Sequence, residues 1–549
     1  MTMSFRWLSP LLATPFLLAG CGGGNEPAAT QTQTAPVPEP EAAVVGVEPG
    51  YGGNLIIGSI GEPVIFNQLY YQDAPSGDII DLVFSGLTAS NENLEVIPDI
   101  ATAEPDISED GLQWTFTMKE GVLFHDGVEL TAHDVVFTYN IFLNEDYTGP
   151  RAGSFTSLEN IEALSDYQVR FTLSEPDARF ATLTGYSILP RHLLEDVPVA
   201  ELGEYQAFNI DQPIGAGPFR FVSWTSGQSL VLEAFDDYHG GRPYLDRVTF
   251  RFVQDLNTLV LLLGQGEVDY APGIPPEEIP TVESFSNVNL HSTLALRYDF
   301  LGYNLRNPLF QDKRVRQALT HAIDRQEIVD TVMEGNATVA HAPVSPLSWA
   351  YNDDVPVFDF DPERARALLA EAGWTPGGDG ILQKDGERFS FEILSNDGNN
   401  VRRDLGIIVQ QQLAEVGIEV TPRQMEWGAF LDRILAPNFD FDATILAWGL
   451  ALDPDPSAIW HSREIEQGLN NVGYSSPVVD ALAESNIRIM DQDERAAELA
   501  KVWAELADDQ PYTFMWYPQQ FVGMNQRVNG FVHHPSVDMY SVPELWIQE

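Results

Sequence analysis

Strand-like segments of one character lie on both sides of a helix-rich middle, and no segment of the chain repeats. That order limits the fold more than any other feature of the sequence. A chain reads this way when it leaves one lobe, builds a second and returns to the first. Period-two alternation marks strands over 114–118 and 169–173, and short apolar runs mark others at 54–58, 219–222, 230–233 and 247–252. Ser226 and Gly227 supply the turn inside the pair at 219–233. The helices are signalled by their ends. Thr131 and Asp134 form a capping box ahead of a helix that runs to about Leu143. Asp312 opens another, with Val315, Leu319, Ala322 and Ile323 on its buried face. A further helix through Ile328, Val329, Val332 and Met333 is expected to stop at Gly335. Asp361, Pro362 and Glu363 combine an N-cap, a first-position proline and an acidic first turn, for a helix ending at Gly373. Helices over 405–416, 478–490 and 494–508 and a strand at 418–420 complete the pattern.

The N-terminus has another character. Arg6 is followed by an apolar stretch over 7–19, broken by Pro10 and Pro15. It is shorter than the about 20 residues a spanning helix needs. It ends in Leu18, Ala19, Gly20 and Cys21, a pattern that resembles the bacterial lipobox, whose cysteine is lipidated and becomes the first mature residue. Residues 1–20 are therefore expected to be an export signal and Cys21 the point of a lipid anchor. The alternative is an ordinary secretory signal with an incidental cysteine. Residues 21–50, rich in Pro, Ala, Thr, Gln and Glu and free of periodicity, read as a disordered tether.

Composition excludes several functions. The chain has 549 residues, enough for two or three domains of about 100–200 residues each. It carries 81 Asp+Glu against 29 Lys+Arg, a formal charge of -52. Nucleic-acid binding needs basic clusters that displace counterions, so that class is excluded. With 44% hydrophobic and 11% aromatic residues the body folds despite its charge. Only Lys119, Lys313, Lys384 and Lys501 are lysines. A solvated acidic shell suits a saline exterior; steering of cationic ligands is the other reading. A single cysteine rules out an internal disulfide and a Cys-rich zinc site. There is no Gly-x-Ser-x-Gly elbow, no His-Glu-x-x-His and no phosphate-binding Gly-x-x-x-x-Gly-Lys loop. His533 and His534 are the only adjacent histidines, and His125 and His133 read as structural. No catalytic residue, cofactor or metal site is expected.

A series of blocks then carries a resemblance. They are GSIGEPVIFN at 58–67, LVFSGLT at 82–88, GLQWTFTMKEGVLFHDG at 111–127, LTAHDVVF at 130–137, GAGPF at 215–219, DYHGGRPYLD at 237–246, RVRQAL at 314–319, AIDR at 322–325, DPDP at 453–456 and IWHS at 459–462. In this order they resemble the extracytoplasmic solute-binding proteins of ABC transporters, the oligopeptide/dipeptide/nickel-type group known as bacterial solute-binding protein family 5. The likeness runs from about Gly52 to the end. It implies an α/β, periplasmic-binding-protein-like fold of type II, in the large cluster with an extra subdomain. Two lobes are joined by a hinge: lobe one over 51–300 with the subdomain at about 100–210, lobe two over 301–514, and a return to lobe one over 515–549. The hinge is expected near Asp299, Phe300 and Leu301 and near Thr513, Phe514 and Met515.

The resemblance also implies a monomeric receptor held to a membrane only by its anchor, in the periplasmic space or on the outer face of the cell membrane. It would capture oligopeptides or dipeptides and hand them to an ABC permease and its ATPase subunits. An oligosaccharide, a nickel chelate or an opine is the alternative cargo, and an anchored secreted hydrolase the alternative outside the class. In relatives two tryptophans line the ligand cleft; they correspond to Trp427, in a Glu426-Trp427-Gly-Ala-Phe430 block, and Trp448. Core packing is the other reading of both. Asn67, Tyr70 and Tyr71 fall on a loop that faces the cleft in relatives, and Tyr517 lies near the second crossover. Where peptide-binding relatives often carry an Asp that pairs with the ligand's α-amino group, this chain has Ala451. Asp453 is left either as a substitute or as a structural cap before Pro454.

Overall fold

The computed structural model describes residues 49–466 and 468–548. The expected export signal, Cys21 and the tether as far as residue 48 lie outside the described residues.

The body begins with β1 (Asn54–Ser59), whose Leu55 and Ile57 are fully buried. Next comes α1 (Ala74–Val83), capped by Asp73, whose side chain accepts the Ser76 N–H at 3.0 Å. A separate four-stranded antiparallel sheet follows, built from β2 (Asp106–Ile107), β3 (Gln113–Thr117), β4 (Leu158–Ser165) and β5 (Gln168–Leu173) in the order β2-β3-β5-β4. The alternation read from the sequence puts Trp114, Phe116, Val169 and Phe171 inward. Helix α2 (Ala132–Phe142) packs over them, Tyr139 meeting Phe171 edge-on at 4.9 Å. The Asp134 carboxylate accepts the Thr131 backbone N–H at 2.9 Å, as the capping box requires. The chain returns through β6 (Phe219–Thr225), β7 (Ser229–Ala234) and β8 (Arg247–Phe252). Gly227, in the β6–β7 turn, has φ +71°, which favours a residue without Cβ. Then come α3 (Leu256–Gln265), β9 (Tyr270–Pro272) and β10 (Val288–Leu294).

The remainder starts at β11 (Arg297–Tyr303) and runs through α4 (Lys313–His321), α5 (Arg325–Val332) and β12 (Ala337–Val339). Then follow α6 (Pro362–Glu371), β13 (Ser390–Asn396), α7 (Asn400–Glu415), β14 (Glu419–Met425), α8 (Trp427–Ile434) and β15 (Ala443–Gly449). Helices α9 (Pro477–Asn486) and α10 (Gln492–Asp509) lead into β16 (Tyr512–Asn525).

One 12-stranded sheet threads the body in the order β14-β13-β15-β11-β16-β9-β1-β8-β7-β6, with β10 and β12 also paired to β16. Its halves serve separate cores. Leu55, Val83, Phe171 and Phe250 belong to one core; Leu301, Leu405 and Ile445 belong to a second, which adjoins a third around Phe300, Phe430 and Trp460. The fold is thus α/β with two lobes. Strand β16 serves both: its start pairs with β11 and its end with β10, over 14 residues or roughly 45 Å. Asp299 pairs with Trp516, but Phe300 pairs with Phe514, so Met515 is left over as a bulge. This step lies where the sequence places the hinge.

Several boundaries move. Helix α5 ends at Val332 rather than Gly335, while Gly335 sits beyond it with φ +78°. Helix α7 starts five positions before Leu405, because the Asn399 side chain accepts the Arg402 N–H at 3.0 Å and recruits a polar first turn. Helix α9 ends at Asn486, short of Met490. Among the described residues no helix is long and apolar enough to cross a membrane.

Candidate functional site

Strands β1 and β8 run parallel, as do β13 with β14 and with β15. In such sheets the carboxyl ends of strands, where the chain turns into helices, leave a crevice for ligand. A cavity of about 290 Å³ opens there, lined by Gly58 and Ser59 at the end of β1, Asn396 at the end of β13, and Trp427 just beyond β14. Helix α1 contributes Asp78, β11 contributes Arg297 and Asp299, α7 contributes Arg402, and β16 contributes Trp516 and Gln520. Residues of both halves of the sheet thus face one space. A second cavity of about 490 Å³ is lined by Asp81 of α1 and its C-cap Phe84, by Tyr238, and by Ala451 and Leu452 beyond β15.

The smaller cavity is polar at opposite walls. Arg297 forks onto Asp299, Nη2 donating to both carboxylate oxygens at 2.9 Å and Nε to Oδ2 at 3.2 Å. Arg402 donates to Asn396 Oδ1 at 2.6 Å, and burial pushes its guanidinium down to about 10. On the α1 side, Asp78 and Asp81 have no hydrogen-bond or ion-pair partner among the described residues. Burial, and then Asp538, push Asp81 up to about 7. Burial and the carboxylates of Asp538, Asp81 and Asp73 push Asp78 well above its ordinary range. Asp81 retains exposed surface even so, because it opens into a water-accessible cavity ringed by protein. Two indole N–H groups, Trp427 Nε1 and Trp516 Nε1, are buried without an acceptor among the described residues.

Of the positions singled out in the sequence, Trp427 lines the first cavity and Ala451 the second. The others are engaged inside the protein. Asn67 is fully buried, donating to Asn209 Oδ1 at 3.0 Å and accepting the Leu69 N–H at 3.1 Å. Tyr70 packs against Tyr147, and burial lifts its hydroxyl to about 12. Tyr71 lies under the Arg151 guanidinium, 4.3 Å from the ring centre. Trp448 donates from Nε1 to the Tyr512 hydroxyl at 3.1 Å and stacks on Phe300. Asp453 holds Arg495 through two contacts at 2.5 and 2.6 Å, which leaves it no free oxygen pair for a ligand amine. Tyr517 is buried, its hydroxyl donating to Ala342 O at 2.7 Å. The residues that the sequence reading passed over include those of α1 and, in the first cavity, Arg297, Asn396, Arg402 and Trp516. For the α1 residues a signal was present: an Asp73 cap, Pro75, and two aspartates three positions apart in a helix with no other charged residue.

Comparison with known proteins gives a consistent result. The profile of the bacterial extracellular solute-binding proteins, family 5 (Middle) matches residues 95–467. The oligopeptide-binding protein AppA of Bacillus subtilis (strain 168) is 41% identical over 545 residues, covering 98% of both chains. The solved structure of that B. subtilis protein in complex with a nonapeptide superposes with a TM-score of 0.89 at 42% identity, covering 91% of this chain and all of the other. NikZ of Campylobacter jejuni in complex with Ni(L-His) superposes with a TM-score of 0.82 at 28% identity, covering 90% of this chain and 99% of the other.

Proposed function

The chain belongs to the bacterial extracellular solute-binding proteins, family 5, and on that premise we propose that it is the peptide receptor of an ABC importer. Members of this family bind solutes and perform no chemistry; the work of transport is done by the partner ATPase. Oligopeptides or dipeptides enter the cleft, the lobes close on them, and the loaded receptor delivers them to the permease. The observation that carries the reading is the 41% identity, over 98% of both chains, to an oligopeptide-binding protein. The cavity between the two halves of the sheet, lined by Trp427 and Trp516, supports it, since aromatic walls suit varied side chains.

In this reading lobe one comprises 51–300 and 515–549, lobe two comprises 301–514, and the β11–β16 bulge at Met515 is the hinge. Cys21 carries the lipid that holds a monomeric receptor outside the cytoplasm, and residues to about 50 form the tether. A nickel chelate is the second reading, favoured by the Ni(L-His) complex of the C. jejuni protein.

Native mass spectrometry of the purified chain tests the cargo. Peptide adducts are expected; nickel or sugar adducts without peptide would overturn the peptide reading. The anchor is tested separately by fractionation: Cys21→Ala is expected to leave the membrane, and its retention there would refute lipidation at this residue.

A further inference from the structure

We propose that a polar clasp outside the ligand cavities holds the two lobes shut, and that its strength sets how long a bound ligand stays. The inference rests on the hinge-closing reading and deepens it. The clasp joins the segment after β5, residues 174–180, to the segment after β15 and the end of α9. Arg179 Nη1 donates to Asp455 Oδ2 at 2.5 Å. Beside it, the Ala178 N–H donates to the Ile487 carbonyl at 2.8 Å. Arg488 donates through Nε and Nη2 to the two carboxylate oxygens of Glu175, the second contact at 2.8 Å. Ahead of β4, Arg463 Nη2 donates to the Gly153 carbonyl at 3.2 Å. In the two-lobe reading each of these pairs has one member in 51–300 and the other in 301–514.

The clasp stands at the rim of the larger cavity. Thr182, three positions beyond Arg179, lines that cavity, and so does Leu452, three positions before Asp455. Parting the two segments opens the cavity between them. At Gly153 the approach is close: a Cβ there would lie 1.8 Å from Glu464 Oε1.

Both halves are built to part and meet again. Arg179 keeps Asp177 on its own side, Nε donating to Oδ1 at 2.9 Å and Nη2 to Oδ2 at 2.8 Å. Asp455 keeps Ser457, accepting its N–H at 3.1 Å and its hydroxyl at 2.7 Å. Separation therefore leaves neither charge bare. Glu175 and Arg488 are 35% and 46% exposed and rehydrate readily. Contacts between bodies that move against each other are polar in this way. A contact made only in the closed form adds its free energy to closure, so it acts on ligand release rather than on encounter.

Two measurements on the full chain test this. Stopped-flow tryptophan fluorescence follows release of a pool of nonapeptides with free termini, and hydrogen exchange over 174–180 reports the clasp itself. Glu175→Arg and Arg488→Glu each set like charges face to face and should speed release about fivefold, with association nearly unchanged. The two combined restore opposite charges and should bring release back to within about twofold of the native rate. Asp455→Asn leaves Arg179 on Asp177 and should speed release at least about tenfold. Exchange over 174–180 should rise in the single variants and fall again in the double one, a rescue that a merely local structural role would not produce. Native release rates in the single variants, or a double variant that releases as fast as they do, would overturn the proposal. If the pool does not bind, the peptide reading falls, and exchange alone decides the clasp: no protection of 174–180 in the native chain, or equal protection in all variants, would overturn it.

Discussion

Arg179 and Asp455, 276 positions apart in the chain, meet at 2.5 Å. Arg179 also grips Asp177 at 2.8 and 2.9 Å, and only 3% of its side chain is exposed. Asp177 lies beside the small four-stranded sheet, while Asp455 follows β15, so the guanidinium ties the surroundings of that sheet to the segment after β15. Burial alone would raise Asp455; the Arg179 charge and the Ser457 hydrogen bonds outweigh it and hold the carboxyl below its ordinary value. Breaking a buried pair leaves an uncompensated charge, which typically costs about 3–5 kcal/mol. Arg179→Met should lower stability by about that amount in urea unfolding near neutral pH. Arg179→Lys should not restore it, because an ammonium cannot fork between two carboxylates. A depressed carboxylate stabilises above its unfolded pKa, and that contribution is lost as pH falls through the folded value. The penalty of Arg179→Met should therefore shrink below about pH 4. A penalty that is constant from pH 7 to pH 3 would show that the ion pair is not its origin.

The two tryptophans that look equivalent in the sequence should behave differently. Trp448 is tied to Tyr512 by its indole N–H and stacks on Phe300, which itself stacks on Tyr512 at 3.9 Å. Trp448→Phe removes that hydrogen bond and should cost about 1 kcal/mol of stability, with little change in ligand affinity. Trp427 Nε1 has no acceptor among the described residues, so Trp427→Phe should leave the unfolding midpoint nearly unchanged and weaken ligand binding. Urea unfolding and calorimetric titration of both variants decide this. The reverse pattern would move the ligand wall from α8 to β15.

That contrast shows where sequence reading works here. Helix ends were legible because capping is local: Asp312, Asp361 and Thr131 act on residues within three positions. Exposed alternating strands such as β3 and β5 were legible for the same reason. The central strands β11, β15 and β16 carry no alternation, since they are buried on both faces, as the seven inward residues at the start of β16 show. The cleft depends on those strands. Asp453 could be seen as a cap or a ligand, but the choice turned on Arg495, 42 positions away. The bearing of Asp78 and Asp81 likewise depends on Asp538, which reaches them only after the chain has folded back.

The acids of α1 and its cap give the unliganded protein a pH signature. Asp81 is pushed up to about 7 and Asp73 to about 6, burial being the first cause in each. Unfolded, both titrate near 4. Between those values the native state holds more protons than the unfolded one, so this contribution to stability falls as pH rises from about 4 to 7. Three histidines, the buried His125 and the half-buried His341 and His533, are pushed down to about 4 and act in the opposite sense, favouring the native state as pH rises through their unfolded value. Asp78, Asp538 and Tyr71 share the Asp81 neighbourhood, with Arg297 beyond Asp538. The informative quantity is the difference between native chain and Asp81→Asn. The variant should gain stability relative to the native chain as pH rises from 5 to 8, read from urea midpoints. Parallel curves would place Asp81 in ordinary solvent.

The charge of -52 should make stability depend on salt in a particular direction. Screening weakens attractive and repulsive pairs alike, and the Debye length falls from about 10 Å at 0.1 M to about 3 Å at 1 M. Many arginines here already sit on carboxylates at the surface, as Arg242 does on Asp236 and Asp246, and those pairs lose a little when salt is added. With 81 acidic side chains against 29 basic ones, most carboxylates have no such partner, and repulsion between them dominates. The melting temperature should therefore rise when NaCl is raised from 0.05 to 1 M. Sucrose at matched osmolality separates screening from exclusion of cosolute from the surface, since sucrose carries no charge. A rise in salt well beyond the rise in sucrose identifies charge repulsion as the cause. A fall in melting temperature with NaCl would mean that the surface ion pairs outweigh the unpaired acids, and the saline-exterior reading of the composition would be wrong.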